Sequence, residues 1–211
     1  MSLCDITILM MSHRDIISTI GGMPRWEPDT RERLRETGLA LFVEHGYENV
    51  SAEMIAERAG VTRRTFFRHF PDKRDVLFAG SEQLPVVVGE AIASAPEGSP
   101  AEVLTTAILA VAGQVEAVLR PSPDRRAVIA GSAELREREN TKHEAVVAAI
   151  TDGLRGRGVD MPAAVLLGRV GGTVFRTAFE NWTDDTRHAS LVTHVRTVVG
   201  QLQDLWAQGT L

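Results

Sequence analysis

Residues 51–75 read Ser-Ala-Glu-Met-Ile-Ala-Glu-Arg-Ala-Gly-Val-Thr-Arg-Arg-Thr-Phe-Phe-Arg-His-Phe-Pro-Asp-Lys-Arg-Asp. The spacing predicts two short helices joined by a tight turn. Ser51 can cap the first, with Glu53 near the positive end of its dipole. Met54, Ile55, Arg58 and Ala59 follow helical spacing and form an inner face, and Ala56 is small where another helix would cross. Gly60 suits the positive φ of a sharp turn, and Val61 fills the corner beneath it. Thr62 can cap the second helix, so Arg63, Arg64 and Thr65 form its first turn. Phe66 and Phe70 lie four apart and point inward. The residue before Pro71 avoids the α region, which ends the helix at Phe70. Asp72, with Asp75 three residues on, opens a further helix. Such a pair of helices is a helix-turn-helix, whose second member enters the major groove of DNA.

Charge points the same way. From Val61 to Arg74 there are four Arg and one Lys against one Asp. Dipole logic places acids, not arginines, in a helix's first turn. Arg63 and Arg64 therefore look to a partner for negative charge. The arginine fork fits guanine O6 and N7 and also pairs with phosphate. A merely solvated basic face is the bland alternative. Thr65, Arg68, His69 and Lys73 would support a grip on the DNA backbone.

Residues 30–80 resemble the DNA-binding region of the TetR family of bacterial transcriptional regulators. The resemblance rests on Ala40-Leu41-Phe42, Gly46-Tyr47, the run Ile55–Thr62, the run Thr65–Phe70, and Lys73. It implies DNA contacts from Ser51, Thr62, Arg63, Arg64, Thr65, Phe67, Arg68, His69 and Lys73. Arg64 stands where the family often has Gly, which adds a charge near the bases. Phe67 stands where it often has Tyr, which removes a hydroxyl that commonly meets a phosphate. The resemblance further implies an all-α homodimer: a helix-turn-helix head on a divergent helical body that binds a small effector.

Composition sets bounds. The chain has 211 residues, 44 % of them hydrophobic and 24 % charged, as in an ordinary globular protein. Its net charge of −5 is unlike that of a DNA binder. The charge is uneven, however: residues 25–79 hold ten basic and ten acidic groups, residues 80–211 twelve and sixteen. A near-neutral head on an acidic body can orient on DNA. The single Cys4 excludes an intrachain disulfide and a cysteine zinc cluster, and fits a cytoplasmic protein. No apolar run reaches the ~18 residues of a membrane span, so no membrane partner is expected. Residues 1–28 read as a loose extension, 29–75 as the DNA-binding head, and 76–211 as the effector and dimerisation body.

Proline and glycine clusters divide that body. A helix from Asp72 should run to about Ala93, bent or interrupted at Pro85. Ala101–Leu119 is a strong helix. Asp124–Arg155 is helical with a join near Gly131-Ser132, and two helices follow, about Pro162–Trp182 and Thr186–Ala207. In the last, Leu191, Val195, Val198, Leu202 and Leu205 are spaced 4, 3, 4, 3, a packing seam that suits a dimer interface or an intrachain core. Gly171 and Gly172 in the preceding helix imply close helix approach. Phe175, Phe179 and Trp182 form an aromatic stripe. Phe175, Phe179 and Arg176 are candidates for effector binding, with plain core and a surface ion pair to Glu180 as the alternatives. No metal-ligand spacing, P-loop or nucleophile elbow occurs, so no cofactor, metal or catalytic residue is assigned. The expected function is DNA-binding regulation, as a repressor released from a palindromic double-stranded operator by a small molecule. The alternative is a small helical enzyme or a ligand-sequestering protein.

Overall fold

The computed structural model describes residues 27–209, and every regular element among them is helical. The expected extension lies outside the described residues except for Glu27 and Pro28, which open the first helix. The head comprises α1 (Glu27–His45), α2 (Ala52–Arg58), α3 (Arg63–His69) and α4 (Asp75–Phe78). The body comprises α5 (Leu84–Ser94), α6 (Pro100–Val118), α7 (Pro123–Gly131), α8 (Ala133–Gly156), α9 (Met161–Asp184) and α10 (Leu191–Ala207).

Local signals set most of these boundaries. Ser99 and Glu102 form a reciprocal capping box at the start of α6. Ser132 separates α7 from α8, as expected from the join near it. The last helix begins at Leu191 rather than Thr186, because Ser190 accepts from the Thr193 amide and caps it.

The linker differs from expectation. No single helix runs from Asp72 to Ala93. Asp72 accepts from the Arg74 amide, α4 lasts one turn, and the chain breaks at Ala79-Gly80, with Gly80 left-handed at φ 84°. Pro85 does not cause the break. It sits in the first turn of α5, where its missing N–H costs nothing.

Two apolar cores result. The head core gathers Leu34, Leu41, Phe42, Ile55, Phe66 and Phe70, and extends past residue 75 to Val76, Leu77 and Phe78. Ile129 and Leu135 of the body complete it. Phe78 is the joint. Its ring faces Lys142 Nζ at 4.7 Å and the guanidinium carbons of Arg125 and Arg138 at 5.4 and 5.5 Å. Arg125 Nε donates to the Leu77 carbonyl at 2.6 Å. Burial pushes the Lys142 ammonium below the usual lysine range, opposed by Glu139 at 3.3 Å.

The body core joins α5, α6, α8, α9 and α10. By length and composition α6 could cross a bilayer, with 19 residues of which only Glu102 and Glu116 are charged. Here its Val103, Leu104, Ala107, Ile108, Val111 and Ala112 are buried in that core. Close approach at Gly171 and Gly172 is present but intrachain. A Cβ there would fall 2.9 Å from Leu104 Cδ1 and 2.6 Å from Val147 Cγ2, respectively.

Candidate nucleic-acid interface

The helix-turn-helix forms as its residues dictate. Ser51 Oγ accepts from the Met54 amide at 3.2 Å and caps α2. Ala59 remains helical and Gly60 turns at φ 68°, a conformation in which a Cβ is strained. Thr62 Oγ1 accepts from the Thr65 amide at 3.1 Å and shares a 2.9 Å hydrogen bond with the Thr65 hydroxyl. Phe66 and Phe70 anchor α3 in the head core. Two details of the expected inner face of α2 differ. Met54 is exposed, and Arg58 reaches Glu44 of α1 in a two-pronged ion pair at 2.5 and 2.8 Å. That pair holds the Glu44 carboxyl below its usual range.

With its aromatic anchors inward, α3 presents Arg63, Arg64, Phe67 and Arg68 to solvent, with Thr62 at the rim. Arg64 has no ion-pair partner among the described residues. Arg63 does have one, which the sequence reading missed: its Nε lies 2.7 Å from Glu53 Oε1 at the start of α2. Its guanidinium also sits 5.4 Å from the Phe67 ring centroid.

Two expected backbone contacts are placed elsewhere. Lys73 Nζ donates to the carbonyls of Tyr47 and Val50 at 2.8 and 2.9 Å and lies 4.1 Å from the Tyr47 ring centroid. It staples the α1–α2 connection to the start of α4. The resemblance suggested a phosphate contact, but the local carbonyls are already within reach and hold the ammonium. His69 is half-buried and lines a head–body cleft of about 330 Å³ with Arg31, Pro71, Asp75, Glu82 and Arg138. It therefore lies off the outward face.

The body holds a narrow apolar cleft lined by Val88, Ile92, Leu104, Ile108, Val111, Ile150 and Phe175, among others. Its free interior is only about 10 Å³, room for one water, so any larger ligand must part its walls. Of the expected effector residues, Phe175 reaches it. Phe179 stacks behind, 6.4 Å from Phe175 and 5.7 Å from Trp182. Arg176 faces outward to Glu180 at 3.4 Å and Asn140 at 3.3 Å, the surface pairing held as the alternative. Val88 and Ile92 of α5 were missed, because aliphatic lining looks the same in sequence as aliphatic core.

The expected dimer seam needs correction. Leu191 and Val195 are fully buried within the chain and Val198 nearly so, because α10 turns this stripe onto its own body. Leu202 is partly buried against the same core, and only Leu205 is well exposed. Large apolar side chains that do face solvent here are Met161, Val165 and Leu166 of α9, and Leu205 and Trp206 of α10. The two helices pack against each other.

The head is thus a capped helix-turn-helix that displays arginines, set on a helical body. Residues 34–79 match the family described as "Bacterial regulatory proteins, tetR family". It is 37 % identical over 87 residues to the HTH-type transcriptional regulator TcmR of Streptomyces glaucescens, a match covering 41 % of this chain and 38 % of that protein. Thus the chain spans well under half the length of that curated relative. The fold resembles NalD, the secondary repressor of the MexAB-OprM multidrug efflux pump in Pseudomonas aeruginosa. That match has a TM-score of 0.55 at 19 % identity and covers 84 % of this chain and 96 % of NalD. The fold also resembles SmeT in its triclosan complex, with a TM-score of 0.55 at 18 % identity over 82 % of this chain and 91 % of SmeT.

Proposed function

We propose that this chain is a cytoplasmic transcriptional repressor, without enzymatic activity, that binds a near-palindromic DNA site as a homodimer and is released by a small apolar effector. The observation that carries the reading is the outward face of α3. Arg63, Arg64, Phe67 and Arg68 stand in solvent on a helix whose other face is anchored by Phe66 and Phe70. Exposed arginines on a short anchored helix suit major-groove insertion, with Thr62 and Thr65 setting its first turn and Ser51 capping α2 before it. A gel shift with the DNA upstream of the chain's own gene tests this. Arg64→Ala should cost ~1–3 kcal/mol of specific binding. Unchanged binding after Arg63→Ala and Arg64→Ala would remove the assignment.

Dimerisation is supported by the solvent-facing apolar ends of α9 and α10, now with Leu205 and Trp206 at the centre and Leu202 beneath. A second copy related by two-fold symmetry would cover them. The effector reading is supported by the apolar cleft and by its wall. Val88 and Ile92 belong to α5, which follows α4 through the break at Gly80. A ligand that parts the walls would displace α5 and bias the head through that joint. Such a ligand acts only through different affinities for two head positions. A coupling of ~1–3 kcal/mol corresponds to a 5–150-fold change in DNA affinity, and operator DNA must weaken the ligand by the same factor. NalD is named as a repressor and SmeT was captured with triclosan, so the fold is compatible with both roles.

A further inference from the structure

We infer that Glu53 and Phe67 pre-position Arg63 as a base-reading arginine, which makes Glu53 a specificity-determining residue of the interface. The inference rests on the DNA-binding reading above. Arg63 has two donor edges. Glu53 Oε1 lies 2.7 Å from Nε, and among the described residues neither Nη1 nor Nη2 makes a hydrogen bond. That terminal pair is the fork that meets guanine O6 and N7. Beneath it the Phe67 ring, 5.4 Å from the guanidinium carbon, offers a flat negative face. Phe67 is itself held edge-on against the buried Phe66 ring, at 5.3 Å and 83°. The platform is therefore tied to the core, while Arg63 remains 69 % exposed at its side chain.

The arrangement accounts together for an acid beside the exposed arginines and for the phenylalanine at position 67. An acid on a DNA-facing surface repels phosphate and weakens binding to every sequence. It is tolerable where it restricts an arginine to one direction, because the ordering cost is then met before DNA arrives. A phenylalanine in place of the family's frequent tyrosine lacks the phosphate-binding hydroxyl but keeps the ring face. Glu53 and Phe67 thus exchange general phosphate affinity for discrimination at one base pair in each half-site.

The test is selection of a randomised DNA duplex library by the full-length chain, followed by affinities for the selected duplex and its single-base variants. Wild type should enrich a sequence, and Arg63→Ala should lose preference at one position of each half-site. Glu53→Gln should lower discrimination at that same position by about 2- to 12-fold, the range expected for one loosened side chain. It should also tighten binding to non-specific duplex, because an acid facing phosphates is gone. Phe67→Leu should blunt the same position, and Phe67→Tyr, which keeps the ring, should preserve it. If Glu53→Gln and Phe67→Leu leave that position as selective as in wild type, or weaken all positions and non-specific binding alike, the inference is overturned. If wild type enriches no sequence at all, the DNA-binding reading fails first.

Discussion

Arg138 of α8 holds Asp75, the first residue of α4, at 2.5 Å. The contact crosses 63 residues of sequence and ties the body to the helix that follows the DNA-reading one. Asp75 is mostly buried and Arg138 about one-third exposed, so the pair is better shielded than a surface ion pair. Asp75→Asn should cost about 1–3 kcal/mol of stability, the scale of a charge-assisted hydrogen bond. A double-mutant cycle with Arg138→Met should show coupling of roughly 0.5–3 kcal/mol in urea unfolding. Additive single effects would mean that this ion pair does not hold the joint.

Lys73 should behave as a staple. Lys73→Met removes two carbonyl hydrogen bonds and the contact with the Tyr47 ring. The head should lose about 1–3 kcal/mol. DNA affinity should fall through misplacement of α3, while the slope of log affinity against log salt stays as in wild type. A slope shallower by about one charge would instead restore a phosphate contact for Lys73.

Gly168 should not tolerate a methyl group. On propensity alone, Gly→Ala inside α9 would gain ~1 kcal/mol. A Cβ at this site would overlap the Thr151 hydroxyl and lie 3.0 Å from the Val147 carbonyl, which is α8 backbone and cannot step aside. Overpacking costs typically 1–3 kcal/mol, so the clash should win and Gly168→Ala should melt lower. A higher melting temperature would show that α8 and α9 part easily.

Leu191 and Leu205 should separate core from interface. Leu191 has no exposed surface, so Leu191→Ala should destabilise the chain by about 2–5 kcal/mol. Leu205 is 48 % exposed, and Leu205→Glu should leave the fold intact while weakening self-association. Light scattering and circular dichroism on the two variants check this. A folded Leu205→Glu dimer as tight as wild type would place the interface elsewhere.

Asp185 should give the α9–α10 turn an acid-sensitive anchor. Its carboxylate accepts from the Arg187 and Ala189 amides at 2.8 and 2.9 Å, and His194 Nε2 lies 3.2 Å away. The backbone donors hold its pKa below the ordinary aspartate value. A depressed folded pKa contributes stability that is complete above the unfolded value of about 3.9 and is lost as pH falls through the folded one. Asp185→Asn should therefore melt below wild type at pH 5–7, and the gap should narrow below about pH 4. A constant gap down to pH 3 would mean that the charge is not what anchors the turn.

The sequence by itself determined what chain neighbours decide. Ser51, Gly60 and Thr62 act within a few residues of themselves, so caps, turn and the ends of α2 and α3 could be read directly. The aliphatic body helices were legible for the same reason, since helical period and Pro/Gly punctuation are local. Only the tertiary structure decided which surface each stripe covers. The spacing of Leu191, Val195 and Val198 is the same for a dimer seam and for an intrachain core, and burial resolves it inward. The pairing of Arg63 with Glu53, the capture of Lys73 by the Tyr47 and Val50 carbonyls, and the entry of Ile129 and Leu135 into the head core join separate elements. Hydrogen bonds and apolar contacts act over a few ångströms in space. Residues far apart in the chain reveal such partnerships only once folding has brought them together.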